Sequence, residues 1–101
     1  MEDVQLVINS KGHGAFLITE GGERLAEMVI AADEKNLTVY HTEVSPKAEG
    51  KGLAKKLLES MVAYAREKKL KVIALCPFVH AQFKRHPDEY ADIWNRENEA
   101  G

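Results

Sequence analysis

Apolar and polar residues alternate over short stretches in the first half of the chain, up to Val44. Four segments rich in Val, Ile and Leu are separated by polar turns, and this pattern predicts strands. The adjacent glycines Gly21 and Gly22 supply the positive φ that a tight hairpin needs. The alanines of the third segment leave a helix open as an alternative there. The predicted strands are Val4–Ile8, His13–Thr19, Arg24–Ala32 and Leu37–Val44. The sequence therefore predicts an antiparallel meander.

The fourth predicted strand carries the clearest alternation. Because successive side chains of a strand point to opposite faces, two sets are expected. One face takes Leu37, Val39, His41 and Glu43, and the other takes Thr38, Tyr40, Thr42 and Val44.

The period changes after Gly50, where apolar residues recur at helical spacing until Lys68-Lys69. The apolar run Val72–Cys76 that follows is typical of a central or parallel strand. The stripe of the helix comprises Leu53, Ala54, Leu57, Leu58, Met61, Val62 and Ala65. Strand, helix and strand at this spacing predict a βαβ unit. Helices are then expected over Phe78–Arg85 and Asp88–Trp94, and a frayed polar tail over Asn95–Gly101.

Composition narrows the class of protein. The 101 residues are enough for one domain, 1–101. Hydrophobic residues make up 45% and charged residues 30% of the chain, with a net charge of −2, which argues against a nucleic-acid partner. No apolar run approaches the length of a membrane span. The single cysteine, Cys76, suits a reducing compartment, so a cytoplasmic location is expected.

A loop with two alternate glycines, Gly50 and Gly52, opens the predicted helix. Helix N-termini bind phosphate through unpaired backbone N–H groups. No acidic residue lies in the first helical turn, and Lys47, Lys51 and Lys55 add positive charge. The loop lacks the Gly-Lys-[Ser/Thr] signature of a P-loop, and an antiparallel meander does not precede a dinucleotide fingerprint. An ordinary strand-to-helix turn is the alternative interpretation.

Cys76 and His41 are the candidate reactive side chains. Ligands of α/β units bind beyond the carboxyl ends of parallel strands, which places Cys76 and the end of the fourth strand on the same rim as the loop. A buried hydrophobe is the simpler role for a lone cysteine, and a core or surface position is the simpler role for a histidine. The histidines His13, His80 and His86 show no metal-ligand spacing with Cys76, so no metal is expected.

Four motifs in this order resemble the GNAT acetyltransferase superfamily, and especially its minimal GNAT-like predicted N-acetyltransferase subfamily. They are the strand end His41–Val44, the loop Glu49–Gly52, the segment Cys76–Val79 and the tail Arg85-His86-Pro87 with Tyr90. The resemblance implies an α+β fold with a GNAT-like mixed sheet, in which the meander is followed by the βαβ unit and short C-terminal helices. Lys47 stands where the wider family has Gln or Arg, which changes the hydrogen bonding of the loop.

The resemblance further implies an acetyl-CoA-dependent N-acetyltransferase without a metal. The pyrophosphate would lie on the N–H groups of Lys51 to Ala54, and the pantetheine would run between strands four and five. The implied coenzyme-binding residues are Thr42, Glu43, Val44, Gly50, Lys51, Gly52, Leu53, Ala54 and Phe78, and the implied catalytic residues are Cys76 and His41. An amine would attack acetyl-CoA directly with His41 or water as the base, or Cys76 would be acetylated first.

The acceptor is expected to be an amine on a protein or a small molecule. The chain lacks the elements that shape the acceptor site in longer family members, so an open cleft is expected. For the same reason a non-catalytic module that binds or senses CoA stays an alternative. A small interaction domain without a ligand is a third.

Overall fold

The computed structural model describes residues 3–98, which form five strands and three α-helices. The strands are β1 (Val4–Ile8), β2 (His13–Glu20), β3 (Glu23–Ala32), β4 (Asn36–Val44) and β5 (Lys71–Ala74). The helices are α1 (Leu53–Lys68), α2 (Pro77–Arg85) and α3 (Pro87–Tyr90), and 3₁₀ turns occupy Pro46–Ala48 and Arg96–Asn98. One sheet has the order β1-β2-β3-β4-β5. Its first three pairings are antiparallel and the last is parallel. The predicted meander and βαβ unit are confirmed, and the third segment is a strand.

One face of the sheet, here called the inner face, packs against α1. It carries large apolar residues of β2, β3 and β4, which share a single buried cluster with the apolar stripe of α1. Phe16 meets Tyr64 of α1 edge to face, with ring centroids 5.8 Å apart. The inner-face residues at the centre of the sheet are Phe16, Ile18, Met28, Ile30, Leu37 and Val39. Burial of this stripe stabilises α1 more than its helix propensity does.

The opposite face of the sheet, here called the outer face, lies outside that cluster. Cross-strand pairing places Val7, Ala15, Val29 and His41 in one row across four strands. A second row holds Gln5, Leu17, Glu27 and Glu43. Ala15 and Leu17 are buried by their neighbours, whereas Val7 is 57% exposed.

The pairing of β3 with β4 shifts at Tyr40. Ile30 of β3 pairs with Val39 of β4, whereas Val29, which precedes Ile30, pairs with His41. Tyr40 therefore has no partner on β3 and is the extra residue of a β-bulge. The predicted alternation is therefore right as far as Val39 and wrong beyond it.

The bulge exchanges the faces of the residues that follow it. His41 and Glu43 lie on the outer face rather than with Leu37 and Val39, while Thr42 lies on the inner face opposite Met28.

Strand β5 is shorter than the predicted Val72–Cys76. The N–H groups of Leu75 and Cys76 both donate to the carbonyl oxygen of Val39, at 3.1 and 2.9 Å, and this ends the parallel ladder. Pro77 starts α2 immediately afterwards, and proline suits the first turn of a helix because it has no N–H to satisfy. Cys76 is therefore the N-cap of α2 rather than the last residue of a strand.

The predicted last helix, Asp88–Trp94, is wrong beyond Tyr90. Val72 on the free edge of β5 donates its N–H to the carbonyl oxygen of Ile93 and accepts from the N–H of Asn95. These bonds hold Trp94 in a parallel bridge beside β5. Satisfying an open strand edge therefore competes successfully with helix formation here. Residues 99–101 of the predicted frayed tail lie outside the described residues.

Candidate functional site

The N-terminus of α1 presents unpaired backbone N–H groups. Its N-cap, Gly52, offers no side-chain acceptor, and the first turn contains no acidic residue. Within residues 3–98, the N–H groups from Lys51 to Ala54 have no hydrogen-bond acceptor. The macrodipole of α1 adds partial positive charge at this end. The arrangement is suited to binding an anion.

Both loop glycines adopt a left-handed backbone that favours glycine. Gly50 has φ 85° and Gly52 has φ 74°, and a Cβ atom at either position would meet no atom of the chain. Ala48, in the preceding 3₁₀ turn, is buried and anchors the loop to the core. The open space in front of the glycines is therefore available to a ligand.

The side chains of the loop contribute less than their charges indicate. Lys47 forms an ion pair with Glu23 at the start of β3. Leu53 is buried in the core, so that it offers a ligand its main chain. The lysines Lys51 and Lys55 are exposed. The positive charge that the loop offers a ligand therefore comes from its backbone N–H groups and from Lys51 and Lys55, whereas Lys47 is already paired.

A cleft opens between β4 and β5 above the last pair of the parallel ladder, Val39 and Ala74. Beyond this pair β4 continues to Val44 along β3 alone. We call this opening the β4–β5 cleft, with Tyr40–Val44 on one side and Cys76–Phe78 on the other. Tyr40 and Leu75, both 46% exposed, flank it. The cleft thus offers an unpaired strand edge between two exposed apolar side chains.

Cys76 meets Thr42 across this cleft. The Cys76 Sγ and Thr42 Oγ1 atoms are 3.3 Å apart, within hydrogen-bond distance for sulfur. Cys76 is 1% exposed. Phe78, in the first turn of α2, is half-buried against the core. The structure therefore brings together two of the predicted site residues, Thr42 and Cys76.

His41 does not join this group, because the bulge turns it to the outer face. Its Nδ1 atom lies 3.4 Å from Oε1 of Glu43, and the two side chains are 50% and 71% exposed. Thr42, the contact of Cys76, points to the opposite face. His41 and Cys76 thus flank β4 from different sides.

Two features of the site are absent from the sequence interpretation. The contact between Thr42 and Cys76 joins residues far apart in the chain. Glu27 lies directly opposite Glu43 on the outer face. The sequence feature that could have indicated the bulge is the polar run Tyr40–Glu43 after Val39. It interrupts the alternation of apolar and polar residues, and a bulge disrupts this alternation locally.

The part of the chain that the structure describes contains no group of three His, Cys, Asp or Glu side chains suited to a metal ion. No helix within residues 3–98 combines the length and the apolar character needed to cross a bilayer.

Comparison with known proteins identifies the family. The sequence profile of the GCN5-related N-acetyl-transferases matches residues 15–93, most of the chain. The chain therefore belongs to the GCN5-related N-acetyltransferases, a family whose members transfer acetyl groups. No protein among the curated sequences matches it.

Solved structures of this class share the fold. A GCN5-like protein from Staphylococcus aureus, inferred to be an N-acetyltransferase, has 27% identity and a TM-score of 0.65, with 99% of this chain and 100% of that one covered. The ribosomal-protein-alanine N-acetyltransferase of Brucella melitensis biovar Abortus has 15% identity and a TM-score of 0.68, covering 100% and 96%.

A third structure is larger than this chain. The ribosomal-protein-S18-alanine N-acetyltransferase of Escherichia coli has 18% identity and a TM-score of 0.59 over 65% of this chain. The chain spans only 43% of that enzyme's length. The predicted GNAT-like fold class is confirmed.

Proposed function

We propose that this protein is an acetyl-CoA-dependent N-acetyltransferase that acts on an amine by direct transfer. One observation carries the proposal: the unpaired N–H groups of α1 and the β4–β5 cleft open at the same end of the sheet. A phosphate-binding helix end beside an open strand edge fits the two ends of a coenzyme that is anionic at one end and extended at the other.

The residues of the site fit such a ligand. The N–H groups from Lys51 to Ala54 would hold the pyrophosphate, and Gly50 and Gly52 leave room for it. The edge of β4 from Thr42 to Val44 would pair with the amides of the pantetheine, as an added strand does. Tyr40 and Leu75 would cover its apolar part.

His41 is the proposed general base. It lies on β4 at the cleft but faces the outer side, from which an acceptor amine would approach. In direct transfer the amine nitrogen bonds to the thioester carbonyl carbon, the carbon–sulfur bond breaks, and the sulfur leaves with its electron pair. His41 takes the proton that the nitrogen loses, and Glu43 orients the imidazole at 3.4 Å.

The burial of Cys76 favours this route over an acetylated cysteine. At 1% exposure and beside the Thr42 hydroxyl, the thiol would have to be uncovered before it could attack a thioester. Mass spectrometry after mixing with acetyl-CoA distinguishes the routes. Direct transfer predicts no adduct of one acetyl group during turnover, whereas a labile adduct on Cys76 would support the two-step route.

The test is thiol release from acetyl-CoA over a panel of amines and peptides. His41→Gln should lower kcat by about a hundredfold or more, the usual contribution of a general base. His86→Gln, at an exposed histidine after α2, is the matched control and should leave kcat unchanged.

Wild-type protein that binds acetyl-CoA but releases no thiol with any acceptor would favour the non-catalytic sensing module. Absence of binding at millimolar acetyl-CoA would contradict the proposal altogether.

A further inference from the structure

The outer face of the sheet carries two surface depressions that meet. One is lined by residues of β1, β2 and β3, including Val7, Ala15 and Val29, and the other lies between the ends of β3 and β4. Both include Arg24 and Glu27, and neither is lined by an α-helix. The two depressions adjoin at Arg24 and Glu27 and together form a groove from the free edge strand β1 to Glu43. Glu43 lies 3.4 Å from the imidazole of His41, which itself lines neither depression.

The chemistry of this groove changes along its length. Its row of Val7, Ala15 and Val29 is apolar and ends at His41. Val7 at the far end is 57% exposed. Val29 is half-buried and Ala15 is covered by its neighbours, so Val7 and Val29 are the apolar surface that a ligand can reach on this row.

The near end of the groove is acidic. Glu27 and Glu43 are directly opposite each other on β3 and β4, and like charges in that position destabilise a sheet. Arg24 offsets Glu27, with Nη1 and Oε2 3.3 Å apart, while the side chain of Glu43 is 71% exposed. A cationic group seated between the two carboxylates would relieve their repulsion.

We propose that this groove is the acceptor surface, and that the acceptor is a peptide in extended conformation with a primary amine about four residues from an apolar side chain. The proposal rests on the proposed function, because it takes His41 as the base. Three strand spacings separate Val7 from His41, about 14 Å. That distance matches about four residues of extended chain. A polyamine carries methylene segments between charged nitrogens but no apolar side chain to seat on Val7 and Val29, so the groove favours a peptide.

Two matched peptides test the inference. Acetyl-Leu-Ala-Ala-Ala-Lys-Ala-amide carries a leucine four residues before its lysine, which matches the separation of Val7 from His41. Acetyl-Ser-Ala-Ala-Ala-Lys-Ala-amide carries serine at that position. We expect a lower KM for the leucine peptide in the thiol-release assay. Glu27→Gln should raise that KM by about threefold to tenfold. Glu43→Gln should raise it similarly and should also lower kcat, because Glu43 orients His41. Val7→Ser should raise it for the leucine peptide only. Glu34→Gln, at an exposed carboxylate in the β3–β4 turn, is the control.

Amide chemical-shift mapping separates this inference from the proposed function. With CoA bound, the leucine peptide should shift the amides of Ala15, Val29 and Glu27. Shifts confined to other surfaces, or equal KM values for the two peptides and for spermidine, would overturn the groove while acetyl-CoA binding and turnover stand. Failure of acetyl-CoA itself to bind would overturn the proposed function and the inference together.

Discussion

Replacing Gly52, the left-handed glycine that begins α1, should reduce both stability and coenzyme binding. In Gly52→Ala, the new Cβ meets no atom of the chain, so the loss of stability arises from the positive φ alone, about 1–2 kcal/mol. The same Cβ would stand in front of the N–H groups that are proposed to hold the pyrophosphate. We expect acetyl-CoA affinity to fall by about tenfold or more in isothermal titration, a difference of about 1.4 kcal/mol.

Gly22→Ala is the matched control for this variant. Gly22 also has a positive φ, 81°, and open space around it, but it lies in the β2–β3 hairpin. Its unfolding free energy should fall by a similar amount while acetyl-CoA affinity stays at the wild-type value. An equal loss of affinity in both variants would assign the effect to stability and contradict a coenzyme loop at Gly52.

The Thr42–Cys76 contact defines a second residue-scale prediction. Thr42→Val keeps the shape of the side chain and removes the hydroxyl that lies 3.3 Å from the thiol. A double-mutant cycle with Cys76→Ala should give a coupling energy of about 0.5–1 kcal/mol from urea unfolding. Thr38→Val with Cys76→Ala is the control cycle and should be additive. Additivity in both cycles would show that the hydrogen bond contributes nothing to stability.

At the residue scale, the sequence could predict features that depend on the residue itself, but not those that depend on how strands pair. Gly50 and Gly52 could be placed in the loop that opens α1 because backbone conformation at a glycine is a local property. The orientation of His41 could not, since the bulge at Tyr40 is decided by how β3 pairs with β4. One extra residue in that ladder moved the proposed base to the outer face.

At the scale of elements, the C-terminal segment is tied to α1 through a charged cluster. Arg66 donates from Nε and from one Nη to the two carboxylate oxygens of Asp92, at 2.9 and 3.2 Å, and to the carbonyl oxygen of Glu89 at 2.8 Å. Lys71 of β5 donates to the carbonyl oxygen of Asp92 at 2.6 Å. The cluster therefore fixes the turn after α3 against both α1 and β5.

This cluster predicts a dependence of stability on pH. The Arg66 hydrogen bond holds the pKa of Asp92 below its usual range. Because the carboxyl pKa is lower in the folded state, its stabilisation is complete above the usual carboxyl pKa of about 4 and is lost as pH falls through the lowered value. The pair is exposed, so it contributes at most about 1 kcal/mol.

Asp92→Asn should therefore lower Tm by a few degrees at neutral pH, since about 1 kcal/mol corresponds to roughly 4–8 °C in a domain of this size. The difference from wild type should begin to shrink below about pH 4 and should vanish once the pH is below the lowered pKa of Asp92, where both side chains are uncharged. Asp3→Asn, at an exposed aspartate before β1, serves as the control across the same pH range. A difference that persists unchanged in acid would contradict the role of the Asp92 charge.

Elements with strong periodicity could be predicted closely, and elements shaped by tertiary contacts could not. The apolar stripe of α1 is a local signal, and its bounds agree with Leu53–Lys68. The run Val72–Cys76 is apolar throughout, so periodicity alone could not show that the Val39 carbonyl ends the strand. Likewise, the sequence pattern predicted a helix as far as Trp94, but Trp94 instead forms a bridge with the free edge of β5.

At the scale of the whole molecule, the sheet separates two tasks. The inner face carries the core, and with it Thr42 and Cys76 at the β4–β5 cleft. The outer face carries His41, Glu43 and the groove that is proposed to take the acceptor. The coenzyme and the acceptor would thus reach β4 from different directions, which direct transfer requires.

The fold as a whole could be predicted because the spacing of apolar residues changes once along the chain, from the alternation typical of strands to the spacing typical of a helix. Four ordered motifs then pointed to one family, and the family profile over residues 15–93 confirms it. The two-sided arrangement of the site could not be predicted, because it depends on the register of β1 to β4 together.

The central claim is that acetyl-CoA binds across the N-terminus of α1 and the exposed edge of β4. Amide chemical-shift mapping of the ¹⁵N-labelled protein during titration with CoA tests it most directly. We expect saturable shifts at Lys51 to Ala54 and at Thr42 to Val44. No shift at millimolar CoA, or shifts confined to the far end of α1 around Arg66 and Lys71, would contradict it.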